Sequence, residues 1–189
     1  LTSLDVALNG FPSLVARGLT ARVLRKYGVY TDSSGQLYIP LHDPFGRNVG
    51  VLIRTRHSDL KYISHPPNAK SYLFNFYFDF SCSGDIIVLF ESPFDVMAVD
   101  FSAIICCAVI GVKLSSDALD SLIGGGCKRI VLAFDEDTTG QMAMLRLAPR
   151  LVSNGFMVGV YRRNLSIVED YDFVVERMMR LSKPGFVLF

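Results

Sequence analysis

The sequence predicts an α/β fold: a mostly parallel sheet flanked by helices in the second part of the chain, preceded by a small α+β unit. Three observations carry this. From residue 85 onward, short continuous apolar runs alternate with helical stretches of about ten residues, the rhythm of repeated βα units. Those runs are unbroken Val, Ile, Leu and Phe, as in strands buried on both faces of a parallel sheet. Before residue 80 the rhythm is different, with two strand-like runs joined by a Pro- and Gly-containing turn. The 189 residues therefore divide into a first part, 1–80, with helix and β-hairpin, and a second part, 81–189.

Each element has its own signal. Residues 13–27 place Leu14, Val15, Leu19, Val23, Leu24 and Tyr27 near one helical face, and Gly28 stops the pattern. Leu37-Tyr38-Ile39-Pro40-Leu41 and Val49-Gly50-Val51-Leu52-Ile53 read as strands, with Pro44 and Gly46 marking the turn between them. Residues 54–80 are polar, aromatic and Pro-containing, and read as mostly irregular. The second part reads as strand 86–90, helix 93–101 and strand 103–110, the last ended by Gly111. Helix 115–123 follows, stopped by Gly124-Gly125-Gly126, which lacks the Lys-Ser/Thr of a P-loop. Strand 130–134, helix 139–153 closed by Asn154-Gly155, strand 156–161 and helix 171–181 complete the chain.

Composition narrows the function classes. Half of the residues are hydrophobic and 20% are charged, which excludes a disordered tail and a coiled-coil rod. The longest apolar run, 103–112, is about half of the roughly 20 residues a membrane-spanning helix needs. No basic segment with a following apolar stretch opens the chain, so no secretory signal is expected, and a start at Leu1 rather than Met is expected of an excised domain. Residues 1–80 carry nine Lys/Arg against five Asp/Glu, whereas 81–189 carry ten against thirteen. A basic part beside an acidic part suits a polyanion on one side and metal ions on the other, although surface charge also scatters in this way. Cys82, Cys106, Cys107 and Cys127 form no C-x-x-C pair and the three histidines have no ligand spacing, so zinc is not expected. Free cysteines in apolar runs point to a reducing, cytoplasmic setting.

Two buried runs end alike. Ile86-Ile87-Val88-Leu89-Phe90 runs into Glu91, and Ile130-Val131-Leu132-Ala133-Phe134 runs into Asp135, with Asp137 two residues on. Ligands of open parallel sheets bind beyond the carboxyl ends of the strands, so these acids are expected at one rim. Crowded carboxylates repel unless a cation neutralises them, and all-oxygen donors suit Mg²⁺ or Mn²⁺. Acids after strands also start helices, and Glu169-Asp170-Tyr171-Asp172 before the last helix is open to that same reading.

Glu91-Ser92-Pro93-Phe94-Asp95, followed by Phe134-Asp135-Glu136-Asp137-Thr138-Thr139-Gly140, resembles the TOPRIM domain of bacterial-type primases, type IA and II topoisomerases and some nucleases. The resemblance covers about residues 85–175 and implies a Rossmann-like domain. Ser92 departs from the Gly usual in primases. Upstream, the hairpin from Leu37 to Gly50, then Arg54, Arg56, Lys61-Tyr62-Ile63-Ser64 and Lys70, is similar to the small N-terminal subdomain of the bacterial primase polymerase core.

What the resemblance implies is DNA-templated RNA primer synthesis from NTPs in replication, in a core of phage or mobile-element origin. Glu91, Asp95, Asp135 and Asp137 would be catalytic, and Glu91, Asp135, Asp137, Asp170 and Asp172 would hold Mg²⁺ or Mn²⁺. Arg54, Arg56, Lys61, Tyr62 and Lys70 would bind nucleotide or nucleic acid, the cations gripping phosphate and Tyr62 stacking on a base. The implied partners are single-stranded DNA template, NTPs, RNA primer and a replicative helicase, fused or separate, with no membrane. A metal-dependent TOPRIM nuclease and an inactive nucleic-acid-binding module are the alternatives.

Overall fold

The computed structural model describes residues 3–56, 62–78, 86–99, 104–135 and 137–161. The expected helix at 171–181, together with Lys61, Cys82, Asp170 and Asp172, lies outside them.

The first part holds three short helices, α1 (Leu4–Leu8), α2 (Pro12–Val15) and α3 (Ala21–Lys26), where the sequence reads as helical over the first thirty residues with one turn and with 13–27 on a continuous face. Gly18 causes the break. At φ 77° it closes α2, with Leu19 N–H donating to Leu14 O at 3.2 Å. Thr20 then caps α3 through its hydroxyl, which accepts from Val23 N–H.

An antiparallel sheet follows, in the order β1 (Tyr30–Thr31), β2 (Leu37–His42), β3 (Asn48–Arg54), β4 (Tyr62–His65). The expected hairpin is β2–β3, and Leu37, Ile39 and Leu41 alternate into the core. The turn between these strands is held by Asp43, which accepts from Phe45 N–H, Arg47 N–H and the Arg47 guanidinium. Strand β4 and a 3-10 turn at Pro67–Ser71 replace the irregular segment expected there. A four-residue polar edge strand with alternate residues exposed carries too little apolar signal to be read from sequence.

The second part is the expected parallel sheet, ordered β6 (Ile105–Ala108), β5 (Ile86–Phe90), β7 (Arg129–Ala133), β8 (Met157–Val160). Helices α4 (Pro93–Val99), α5 (Ser116–Gly124) and α6 (Thr138–Ser153) connect the strands. Alternation splits the strand residues between two cores. Val88, Phe90, Cys106, Ala108, Val131 and Ala133 pack with α4 and with the helices and sheet of the first part. Ile87, Leu89, Cys107, Ile130 and Leu132 pack under α5 and α6. The first part therefore shares one continuous core with the α4 face of the parallel sheet.

Phe74 seals that junction, exchanging backbone hydrogen bonds with Ala108 while its ring lies 5.9 Å from that of Tyr27. Phe74 thus packs between the two sheets, and Phe76, two residues on, packs in the core under α5 and α6. Among the described residues, no helix is long and apolar enough to cross a membrane.

Candidate active site

The carboxyl ends of β5 and β7 form the rim. Phe90 pairs with Ala133, so Glu91 leaves β5 beside Phe134 and Asp135 follows one residue further along the adjacent strand. Strands at this spacing run about 4.8 Å apart. The end of β6 fixes Glu91 from the other side. Val109 N–H donates to Phe90 O at 3.0 Å, and Gly111 N–H donates to Glu91 O at 2.9 Å. Reaching that carbonyl takes a sharp turn, with Ile110 at φ 49° and Gly111 at φ 112°. A β-branched residue in the left-handed region costs on the order of 1–3 kcal/mol, and strain of this kind collects where backbone is positioned for function.

Asp135 is half-buried and Asp137 is exposed. Asp137 caps α6, its Oδ1 accepting Gly140 N–H at 2.7 Å. A Cβ placed on Gly140 would sit 2.2 Å from Asp135 O and 3.0 Å from its carbonyl carbon. Glycine is required there because the first turn of α6 lies directly against the Asp135 peptide.

Asp95 is buried on α4, and its Oδ1 receives Arg17 Nη1 at 2.8 Å. A buried carboxylate needs such a partner. Arg17 lies between α2 and α3, 78 residues away in sequence, and no local pattern singles it out. Beside this pair, Tyr62 Oη lies 2.8 Å from Ser92 Oγ, which also accepts from Phe94 N–H at the start of α4. The Ser that replaces the usual Gly therefore joins the rim turn to β4. The Tyr62 ring stacks on Phe94 with centroids 6.3 Å apart, and the Arg54 guanidinium lies 5.1 Å from its centroid. The proposed base platform is thus packed between the sheets, and burial pushes its phenol pKa up.

The described basic residues of the expected binding set, Arg54, Arg56 and Lys70, have different surroundings. Arg54 ends β3 beside Tyr62. Arg56 lies beyond the strand, where alternation no longer directs it. Its Nη2 donates to Ala7 O at 2.7 Å and its guanidinium lies 5.5 Å from the Phe11 ring centroid, so it is engaged inside the first part. Lys70 is exposed at the end of the 3-10 turn.

Among the described residues, no group of three or more His, Cys, Asp or Glu side chains gathers closely enough to hold a metal ion. The rim donors that are described, Glu91, Asp135 and Asp137, are all carboxylates. That is the chemistry of Mg²⁺ or Mn²⁺, which need only one or two protein carboxylates and keep several waters. Cys106 is a core residue instead, its thiol pushed up to about 12 by burial and so inert.

A family model described as Toprim-like matches residues 88–174, the stretch holding the rim acids. That segment is a Toprim-like domain. The whole fold is similar to solved primase cores. It resembles the zinc-binding and RNA polymerase domains of the Aquifex aeolicus primase with a TM-score of 0.72 and 21% identity, over 91% of this chain. It spans 55% of that protein's chain. It resembles the DnaG primase catalytic domain bound to single-stranded DNA with a TM-score of 0.71 and 15% identity, over 95% of this chain and 73% of that one. For the primase fragment of the bacteriophage T7 primase-helicase protein the TM-score is 0.61 at 20% identity, over 88% of this chain and 72% of that one. No curated protein matches the sequence. At these identities the likeness is one of fold: a Toprim-like domain joined to an antiparallel N-terminal sheet.

Proposed function

We propose that this chain is the polymerase core of a DNA primase, joining ribonucleotides on a single-stranded DNA template. The supporting observation is the rim itself. Glu91 and Asp135 stand at the ends of adjacent parallel strands, and the turn after Glu91 is joined through Ser92 to Tyr62 of an antiparallel, basic sheet. A topoisomerase or nuclease reading leaves that attached sheet unexplained.

In the proposed reaction the 3′-hydroxyl of one nucleotide attacks the α-phosphate of the next. An O–P bond forms, the bond to pyrophosphate breaks, and the hydroxyl proton leaves. Asp135 and Asp137, with Asp170 and Asp172, would hold Mg²⁺ or Mn²⁺. When bound, such an ion neutralises phosphate charge and makes the attacking hydroxyl more acidic. Glu91 accepts the proton or orders the site from just outside the metal's ligands. The buried Asp95–Arg17 pair is a positioning contact, keeping α4 and the turn after Glu91 registered on the first part. Arg54, Lys61 and Lys70 hold nucleotide or template phosphate. Arg56 ties the end of β3 to the first two helices, and Tyr62 acts by packing more than by stacking on a base.

In this proposal residues 1–80 manage phosphate and 81–189 carry the acids. The setting is a cytoplasmic replication fork of a phage or mobile element, with a helicase fused or separate. The test is incubation with single-stranded DNA, NTPs and Mg²⁺ or Mn²⁺. Short RNA products support the proposal. Template degradation without RNA would establish a nuclease in its place.

A further inference from the structure

A cavity lies on the α5–α6 side of the parallel sheet, next to the rim but outside the residues assigned above. It is open to solvent and has a volume of about 520 Å³, within the range of small-ligand sites. Its walls are the segment between β6 and α5, which contributes Lys113, and the first half of α6, which contributes Thr138, Thr139, Met142 and Arg146. Arg150 closes the far end and ties the two walls together, its Nη1 donating to Leu114 O at 2.6 Å.

The lining has a definite chemistry. Three side chains are cationic, two carry hydroxyls, and none is a carboxylate. Lys113 and Arg146 are exposed, and neither forms an ion pair with a described residue. Two cations lining one cavity without an ion-pair partner among the described residues favour an anion between them. The rest of the lining is apolar, including Met142, which is 44% exposed. Cations, hydroxyls and a polarisable apolar surface lining one cavity match the parts of a nucleotide, its phosphate and its base. Thr138 directly follows Asp137, so an occupant lies beside the acidic rim.

We propose that this cavity binds a nucleotide unit, with phosphate on Lys113 and Arg146 and the base against Met142, either as a free nucleoside triphosphate or as one link of a single strand. The inference rests on the primase reading only for what the occupant is used for. The binding itself does not depend on that reading.

The test measures binding of Mg²⁺–ATP by calorimetry and of a fluorescent oligothymidylate by anisotropy across a salt series. The proteins are the wild type, K113Q/R146Q, and a control, R22Q/K128Q, that loses the same charge from exposed positions elsewhere. The expected result is a loss of about tenfold or more for at least one probe in K113Q/R146Q and not in the control. A loss for ATP alone assigns a free nucleotide. A loss for the oligonucleotide, with the salt slope reduced by about 0.7 per lost contact, assigns the strand. M142E, which puts a carboxylate into the cavity without removing a cation, should weaken the same probe. Unchanged binding of both probes, or an equal loss in the control, overturns the proposal. Primer synthesis by the wild type, assayed in parallel, reports on the primase reading separately. Binding lost in K113Q/R146Q while the wild type makes no RNA would leave the cavity assignment standing and the primase reading fallen.

Discussion

Replacing Gly140 by Ala should damage the site far more than the fold. The new Cβ would sit 2.2 Å from Asp135 O, and ordinary contact begins near ~3.4 Å, so about 1 Å must open. The obstacle is backbone, not the end of a flexible side chain, and the displaced group is the peptide of Asp135 itself. A misplacement of about 1 Å costs reaction rate about a hundredfold. The stability cost is smaller. Overpacking costs about 1–3 kcal/mol, and Ala in a helix recovers about 0.5–1 kcal/mol relative to Gly. The net is about 0.5–2 kcal/mol, or roughly 1–8 °C in Tm for a chain of this size. Template-dependent NTP incorporation and a thermal melt, run on the same preparation, measure both. A G140A protein with wild-type rate and undiminished Tm would refute the steric coupling between α6 and Asp135.

R17Q should cost about 2–3 kcal/mol in chemical denaturation, less than a fully enclosed ion pair because Arg17 is 33% exposed, and adding D95N should recover part of the loss. Asp32 is held down to about 2 by hydrogen bonds from Ser34 and Tyr38. The advantage of wild type over D32N should therefore be complete above the ordinary carboxylate pKa and vanish as pH falls through about 2, which denaturation curves at pH 5 and pH 2 would show. E91Q should keep nucleotide binding but slow synthesis by about a hundredfold to ten-thousandfold. Rescue of E91Q to near the wild-type rate by high Mg²⁺ or Mn²⁺ would instead make Glu91 a direct metal ligand.

The parallel sheet was legible because burial on both faces leaves an unbroken apolar run, and β5 occupies the expected residues 86–90. Glu91 and Asp135 were legible for a related reason: a polar residue directly after such a run has to emerge at its carboxyl end. What stayed hidden depends on tertiary contact. Arg17 finds Asp95 across 78 residues, and Tyr62 finds Ser92 across 30. Arg56 was grouped with Arg54 by resemblance alone, but β3 stops at Arg54 and the Arg56 guanidinium lies against Phe11. The left-handed Ile110 gave no sign, since a β-branched residue argues against that conformation. Gly18 was visible as a glycine, yet its neighbours kept helical spacing across it and masked the break. Lys113 and Arg146 are 33 residues apart and meet only because the chain passes from β6 to α6 on one side of the sheet.

Incorporation of labelled ribonucleotide into RNA on a single-stranded DNA template, compared between wild type and D135N, tests the central claim most directly. Asp135 is set by β7 and by the first turn of α6, so the substitution should preserve the melting curve and remove the product. Template-dependent RNA from the wild type and none from a folded D135N is the predicted result. Equal synthesis by the two proteins, or no RNA from the wild type while the template is degraded, would contradict it.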